Sequence, residues 1–373
     1  MTVSTPPPLP PPALEQPAPY QVSYGVVSGI AAQGVRRVIV SVGGEVVRDR
    51  PLAGRHFSVR VPLPAGTTVV RVETRDGRGR RSSTTVRDVV GLPAAAAPRY
   101  RLAREDPILA RDVQRLAAGF GGTAGVYVQS LTSGAGAAWN AKASFPAAST
   151  LKLAIAVTAL AHVDGVPAPG SRLDSLLRAM LLVSDDRAAN AVEAYVGGSA
   201  LGGSALVDSL LRSIGITDSE MYGGYLVQSR SLAVAAGIPV RVEQQPAWGR
   251  GKRTTAYDLA RLARAVWLAS GGIGPLRRAA PGLTRADARY LMYLLAHVRD
   301  PGKLDREVRR FPDVSTLHKA GWIDAARHDA GLVFWRGGVF VAAVMTYRAA
   351  GAGTASDVLA GRVAVAALLR FRG

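Results

Sequence analysis

Near residue 91 the apolar residues change their spacing, and that change limits the folds open to the chain. Between Tyr20 and about Val90, runs such as HFSVRVPLPAGTTVVRVETRDGRGR alternate apolar and polar residues, with Phe57, Val59 and Val61 in one run and Val70 and Val72 in the next. A period of two broken by PAG and DGRG turns predicts a small all-β sandwich over residues 20–90. The stretch GLPAAAAPRYRLARED then turns to Ala and Pro and predicts a linker over 91–103. From Arg104 onward helical spacing takes over, with helices expected over 151–162, 173–195, 204–214, 256–268, 285–298 and 356–371. Strand patterns stand at both ends of this segment, AGVYVQSLTSGAGAAWN and HDAGLVFWRGGVFVAAVMTY. Strands at both ends with helices between them predict an α+β domain over 104–373, an antiparallel sheet closed by its two ends around a helical insertion.

Residues 1–19, MTVSTPPPLPPPALEQPAP, have neither the basic start nor the apolar centre of a signal peptide, and their prolines predict a disordered, solvated tail. No run of eighteen apolar residues occurs, so no transmembrane segment is expected. Cysteine is absent, which excludes disulfides, thiol catalysis and thiolate-held metals. The net charge of +19 comes mainly from arginine, since the lysines are only Lys142, Lys152, Lys252, Lys303 and Lys319. Such a charge suits an anionic surface such as a cell wall. The chain lacks the recognition motifs of nucleic-acid-binding folds, so no nucleic-acid partner is expected.

Three polar interruptions of apolar sequence could carry chemistry. In FPAASTLKLAIAVTAL, Ser149 and Lys152 are three residues apart at the start of an apolar helix. That spacing puts both on one face, where the amine can serve as base to the hydroxyl and the helix dipole favours an alkoxide. The alternative is a capping serine and a surface lysine, but Leu151, Leu153, Ile155 and Val157 leave little solvent face for a lysine. In LRAMLLVSDDRAANAV, Ser184, Asp185 and Asp186 either cap a new helix or line a cleft. In STLHKAGWIDAARHDAGLVFW, Lys319 precedes Ala320, Gly321 and Trp322 on a strand, where a cation and a bare backbone amide can face one ligand. His318 and His328 flank this element with no third residue at metal-ligand spacing, so neither a metal nor a cofactor is expected.

Taken in order, Ser-x-x-Lys, Ser-Asp-x and Lys-x-Gly resemble the motif set of the penicillin-recognising serine hydrolases, and from Arg104 onward the chain resembles the class A β-lactamase-like group. RAAN, LLRSIGITDSEM and RTTAYDLARLARAVW support that register. The N-terminal segment is similar in pattern to bacterial immunoglobulin-like modules. The first resemblance implies a β-lactamase/transpeptidase-like fold and a β-lactam or cell-wall peptide substrate. It also implies Ser149 as acylated nucleophile, Lys152 as its base, Ser184 as proton relay and Lys319 as holder of the proton network. The amides of Ser149 and Trp322 would form the oxyanion hole, Asp186, Ala320 and Gly321 would contact substrate, and Asn190 would support the deacylation loop. It further implies a location outside the cytoplasm. Three positions depart from the family: Asp186 stands where asparagine is usual, Ala320 replaces a hydroxyl residue, and no Glu-x-x-Leu-Asn follows Ile216. Glu243 is the best-placed acid for deacylation. Without such a base an acyl-enzyme would persist, so a penicillin-binding protein with little turnover is the alternative.

Overall fold

The computed structural model describes residues 7–222, 237–300 and 302–373. The chain forms two compact units, Met1–Ala94 and Ala95–Gly373.

The first unit is all β, built from β1 (Ala13–Gln16), β2 (Gln21–Ser23), β3 (Val26–Ile30), β4 (Val35–Val42), β5 (Glu45–Pro51), β6 (His56–Arg60), β7 (Gly66–Asp76) and β8 (Arg81–Gly91). They make a three-stranded sheet, β1-β3-β6, and a five-stranded sheet, β2-β8-β7-β4-β5. The alternating residues Phe57, Val59, Val61, Val70 and Val72 meet Val27, Val38 and Val40 in one core. The tail expected over 1–19 is not free from Pro7 on. Leu9 is buried, the Pro12 carbonyl accepts from Thr84 Oγ1 at 2.6 Å, and β1 pairs antiparallel with β3. A Cβ on Gly29 would lie 2.2 Å from the Ala13 carbonyl oxygen, so the bare glycine is what lets this edge strand approach. Part of the expected linker is also not free. Ala96 is fully buried in the second unit, and its carbonyl accepts from the Trp267 indole at 2.9 Å.

The second unit opens with β9 (Arg104–Glu105), α1 (Pro107–Ala118), β10 (Thr123–Ser130), β11 (Ala135–Trp139) and β12 (Phe145–Pro146). The helical insertion follows: α2 (Lys152–Ala161), α3 (Arg172–Leu182), α4 (Asp186–Gly197), α5 (Ala200–Ser213), then β13 (Arg253–Thr254), α6 (Ala256–Ser270), α7 (Pro275–Ala279), α8 (Arg285–Leu295) and α9 (Asp305–Val308). The chain returns to the sheet with β14 (Ser315–Ile323), β15 (Ala326–Trp335) and β16 (Gly338–Tyr347), and ends in α10 (Gly353–Arg372). The sheet order is β14-β15-β16-β10-β11-β9, antiparallel except for the β9–β11 pair. β10 pairs with β16 from Thr123↔Tyr347 to Ser130↔Phe340, so the sheet is closed by strands from both ends of the unit. This is the α+β architecture the sequence predicts.

Both faces of this sheet are covered, which the alternation on β10 makes visible. Val126 and Val128, with Phe340 and Val344 of β16, pack against α1 and α10 through Leu109, Val113, Val363 and Leu368. Tyr127 and Gln129 point the other way, toward α6. α2 is buried along its length, as a helix apolar all round must be. The single helix expected over 173–195 is two, because the chain breaks at Ser184, whose φ is +60°. Asp185 then caps α4, its Oδ1 accepting from the Ala188 amide at 2.7 Å.

Candidate active site

Ser149 lies in a 3-10 turn, Ala148–Leu151, that leads into α2, so the helix begins at Lys152. Ala148 before it has φ +47°, a left-handed conformation unfavourable for alanine. The surrounding backbone holds the turn there. The Ala147 amide donates to the Lys252 carbonyl at 2.7 Å, Thr150 Oγ1 donates to the Ala147 carbonyl at 2.6 Å, and His328 Nε2 donates to the Pro146 carbonyl at 2.7 Å. His328 is fully buried and its Nδ1 accepts from the Thr346 amide at 3.2 Å. Burial therefore pulls its pKa down to about 4 and keeps the ring neutral, Nε2–H toward the turn.

Lys152 is buried beside Ser149, and its ammonium reaches the second motif. Nζ donates to the Ser184 carbonyl at 2.5 Å, to Ser184 Oγ at 3.3 Å and to Asp186 Oδ1 at 2.5 Å. The left-handed turn at Ser184 is what presents both its carbonyl and its hydroxyl to one amine. Asp186, whose side chain is 89% exposed, is solvated on its other side.

The third motif approaches from β14. A Cβ on Gly321 would lie 2.6 Å from the Ser149 amide nitrogen and 2.7 Å from that of Thr150, so only glycine lets this strand lie against the Ser149 turn. Ala320 is fully buried, while Trp322 is 43% exposed at the cleft with Lys303 Nζ 4.6 Å from its ring centre. Lys319 is 1% exposed and donates to Asp300 Oδ2 at 2.9 Å and to the Ala320 carbonyl at 2.7 Å. Burial, the largest effect, and the charge of Lys152 hold its pKa below the ordinary lysine value against the pull of Asp300.

These elements frame a cleft of about 350 Å³ lined by Ser149, Lys152, Asp186, Asn190, Lys252 and Trp322, among others. Ser184 joins it through Lys152. Lys319 and Ala320 stand behind the lining, and Gly321 forms the seam with the Ser149 turn. Glu243 is not brought to the cleft. It is exposed, and its amide donates to Asn140 Oδ1 at 2.7 Å. The other acids between Ile216 and Thr254 are engaged elsewhere, Asp218 with Lys142 and Glu220 with Arg253. Residues 223–236, the middle of the expected Ω-type loop, lie outside the described residues and contain no Asp or Glu. What the 237–255 segment brings to the cleft is a cation, Lys252. Sequence reasoning missed Lys252 and Asp300. Asp300, before a proline at the end of a helical stretch, reads as an ordinary turn residue. No group of three His, Asp or Glu among the described residues is arranged to hold a metal.

The family model described as the beta-lactamase enzyme family matches residues 108–165 and 168–370. The chain belongs to this family. Solved structures agree on its class A β-lactamase-like fold. A beta-lactamase from Sphaerobacter thermophilus has a TM-score of 0.52 and 20% identity, over 70% of this chain and 96% of that one. The class A beta-lactamase from Mycobacterium abscessus gives 0.53 and 19%, over 71% and 100%. A point mutant of PBP-A, described as an acyl-enzyme complex with penicillin G, gives 0.53 and 18%, over 74% and 100%. Among curated protein sequences no match is found. At such identities the beta-lactamase-family neighbours speak for the fold, and the chemistry rests on the cleft itself.

Proposed function

We propose that the second unit is a serine hydrolase that takes an acyl group onto Ser149 from a β-lactam or a related amide or ester, and releases it slowly. The observation that carries this reading is the meeting of three distant motifs at one cleft, with Lys152 bridging Ser184 and Asp186 beside Ser149. Lys152, acting as the free amine, takes the proton of Ser149 as its Oγ bonds to the substrate carbonyl carbon, and Ser184 and Asp186 accept hydrogen bonds from the ammonium that forms. The amides of Ser149 and Trp322 receive the oxyanion, and Gly321 sets the distance between them. As the tetrahedral intermediate collapses, the bond to the leaving group breaks and Ser184 hands that group a proton, replenished from Lys152. Lys319, neutralised by Asp300, keeps this network in place.

Slow release is supported by the cleft's composition: among the described residues the one carboxylate lining it, Asp186, is paired with Lys152, and what the 237–255 segment adds is Lys252. A net charge of +19 supports work against an anionic cell envelope. Intact-mass measurement after exposure to a fluorescent penicillin tests the proposal. A lasting adduct on the native chain and none on Ser149→Ala is expected. Drug loss without an adduct refutes slow release, and no adduct with no turnover of penicillins or esters refutes acylation.

A further inference from the structure

A second cavity, of about 490 Å³, lies between α6 and the sheet and shares no lining residue with the Ser149 cleft. Its walls carry the guanidinium groups of Arg101, Arg261 and Arg264 and the rings of Tyr127 and Tyr257, with Gln129 at its base, and no acid among the described residues lines it. Arg261 and Arg264 are three residues apart on α6 and therefore share a face. A smaller neighbouring cavity of about 240 Å³ is lined by the same two arginines and adds Arg278, so the row of cations continues.

Three like charges around one space repel each other, and the lining offers no counter-charge. Arg261 donates to the Gly215 and Ile214 carbonyls and Arg101 to that of Thr132, but other polar atoms here are unspent. Gln129 is 3% exposed and its Oε1 accepts from Tyr127 Oη at 3.2 Å, but its buried Nε2 has no partner among the described residues. Arg264 donates through Nη2 to the Arg101 carbonyl at 3.3 Å, yet its buried Nε is likewise without a partner. Buried donors left unmade are costly, and two of them beside unneutralised guanidinium groups describe a place built for acceptor oxygens.

We infer that this cavity binds a small molecule bearing an oxyanion, a phosphate or carboxylate held by Arg264, Arg261 and Gln129, with its carbon skeleton against Tyr127 and Tyr257. Its volume suits a ligand of ordinary metabolite size. Gly237 closes one end, its backbone so near the neighbouring segment that a Cβ would lie 1.9 Å from the Ala103 carbonyl oxygen.

Isothermal calorimetry with pyrophosphate and with citrate, at ionic strength held constant with sodium chloride, tests the site on the full chain. Saturable one-to-one binding of at least one of them is expected, and which one binds separates phosphate from carboxylate recognition. Affinity should fall at least about tenfold in Arg264→Gln and in Gln129→Leu, and stay unchanged in Arg336→Gln, which removes an equal charge at an exposed position elsewhere. Gln129→Leu replaces the unpaired amide by an apolar group of like size, so it keeps the test decisive should Arg264→Gln fold poorly. Heats no greater than dilution, or equal weakening in all three variants as general charge attraction would give, overturn the inference. Penicillin labelling of Ser149 is a separate readout, so this inference and the proposed function stand or fall apart.

Discussion

Gly321→Ala puts the proposed chemistry under the most direct strain. The added methyl group would sit 2.6 Å from the Ser149 amide nitrogen and 2.7 Å from that of Thr150, where ordinary contact begins at 3.4 Å. Both are backbone atoms, so the clash cannot be relieved by a rotamer change, and β14 must move from the turn by about 0.8 Å, the shortfall between those distances. Overpacking of this kind costs about 1–3 kcal/mol, a few degrees in thermal midpoint for a unit of this size. The larger effect falls on the acyl transfer, because the same movement parts the Ser149 and Trp322 amides. A misplacement of about 1 Å at a reacting centre costs about a hundredfold in rate. The rate of adduct formation with a fluorescent penicillin, followed by intact mass beside the thermal midpoint, measures both. Gly249→Ala serves as the control, since a Cβ there meets nothing within 4 Å. Acylation of Gly321→Ala within threefold of the native rate, with an unchanged midpoint, would refute the view that this seam positions the nucleophile.

Asp186→Asn should raise the acylation rate about tenfold in the same assay, because the amide still accepts from Lys152 and adds a donor for a substrate carbonyl. Asp300→Asn leaves Lys319 buried without its counter-charge and should destabilise by about 3–5 kcal/mol in denaturant titration. Because the folded Lys319 pKa is depressed, the unfolded chain binds a proton the folded one gives up; its contribution to stability therefore rises with pH up to the ordinary value of 10.5, and more steeply in this variant. Two buried groups act oppositely in acid. His328, held to about 4 by burial, loses about 3 kcal/mol of stability as pH falls from 6.5 to 4, since only the unfolded ring takes up the proton. Asp258, raised to about 6 by burial and then by Asp218, is protonated first in the fold, so it loses about 3 kcal/mol as pH rises from 3.8 to 6. Thermal midpoints between pH 4 and 7 should therefore fall more steeply in acid than the native chain for Asp258→Asn and less steeply for His328→Gln.

Lys152 was legible because an isolated charge inside an apolar helix is anomalous in any context, and the strands of both units were legible because alternation is a local property. A new helix capped near Ser184 was one reading of that stretch, but its left-handed turn was not legible, since apolar spacing runs on through Leu177, Leu181 and Val192. β1 was hidden by the prolines on either side of it, which argue for a tail until a neighbouring glycine offers a bare edge. Asp300 and the arginine-lined cavity were invisible for another reason. Their parts, Arg101, Gln129 and Arg264 in the one case and Asp300 and Lys319 in the other, meet only after the sheet has formed.

The β10–β16 pairing also sets an order of assembly. Thr123 finds its neighbour only when Tyr347 has been made, so β10 waits through the whole helical insertion with one edge unfilled. Pairings this distant along the chain are slow to form and expose strand edges meanwhile. During synthesis the Ser149 turn would emerge long before β14 and β15 arrive to brace it. An unfinished chain would therefore carry Ser149 and Lys152 yet be chemically inert, and labelling by a penicillin would report completion of the polypeptide as much as its folding.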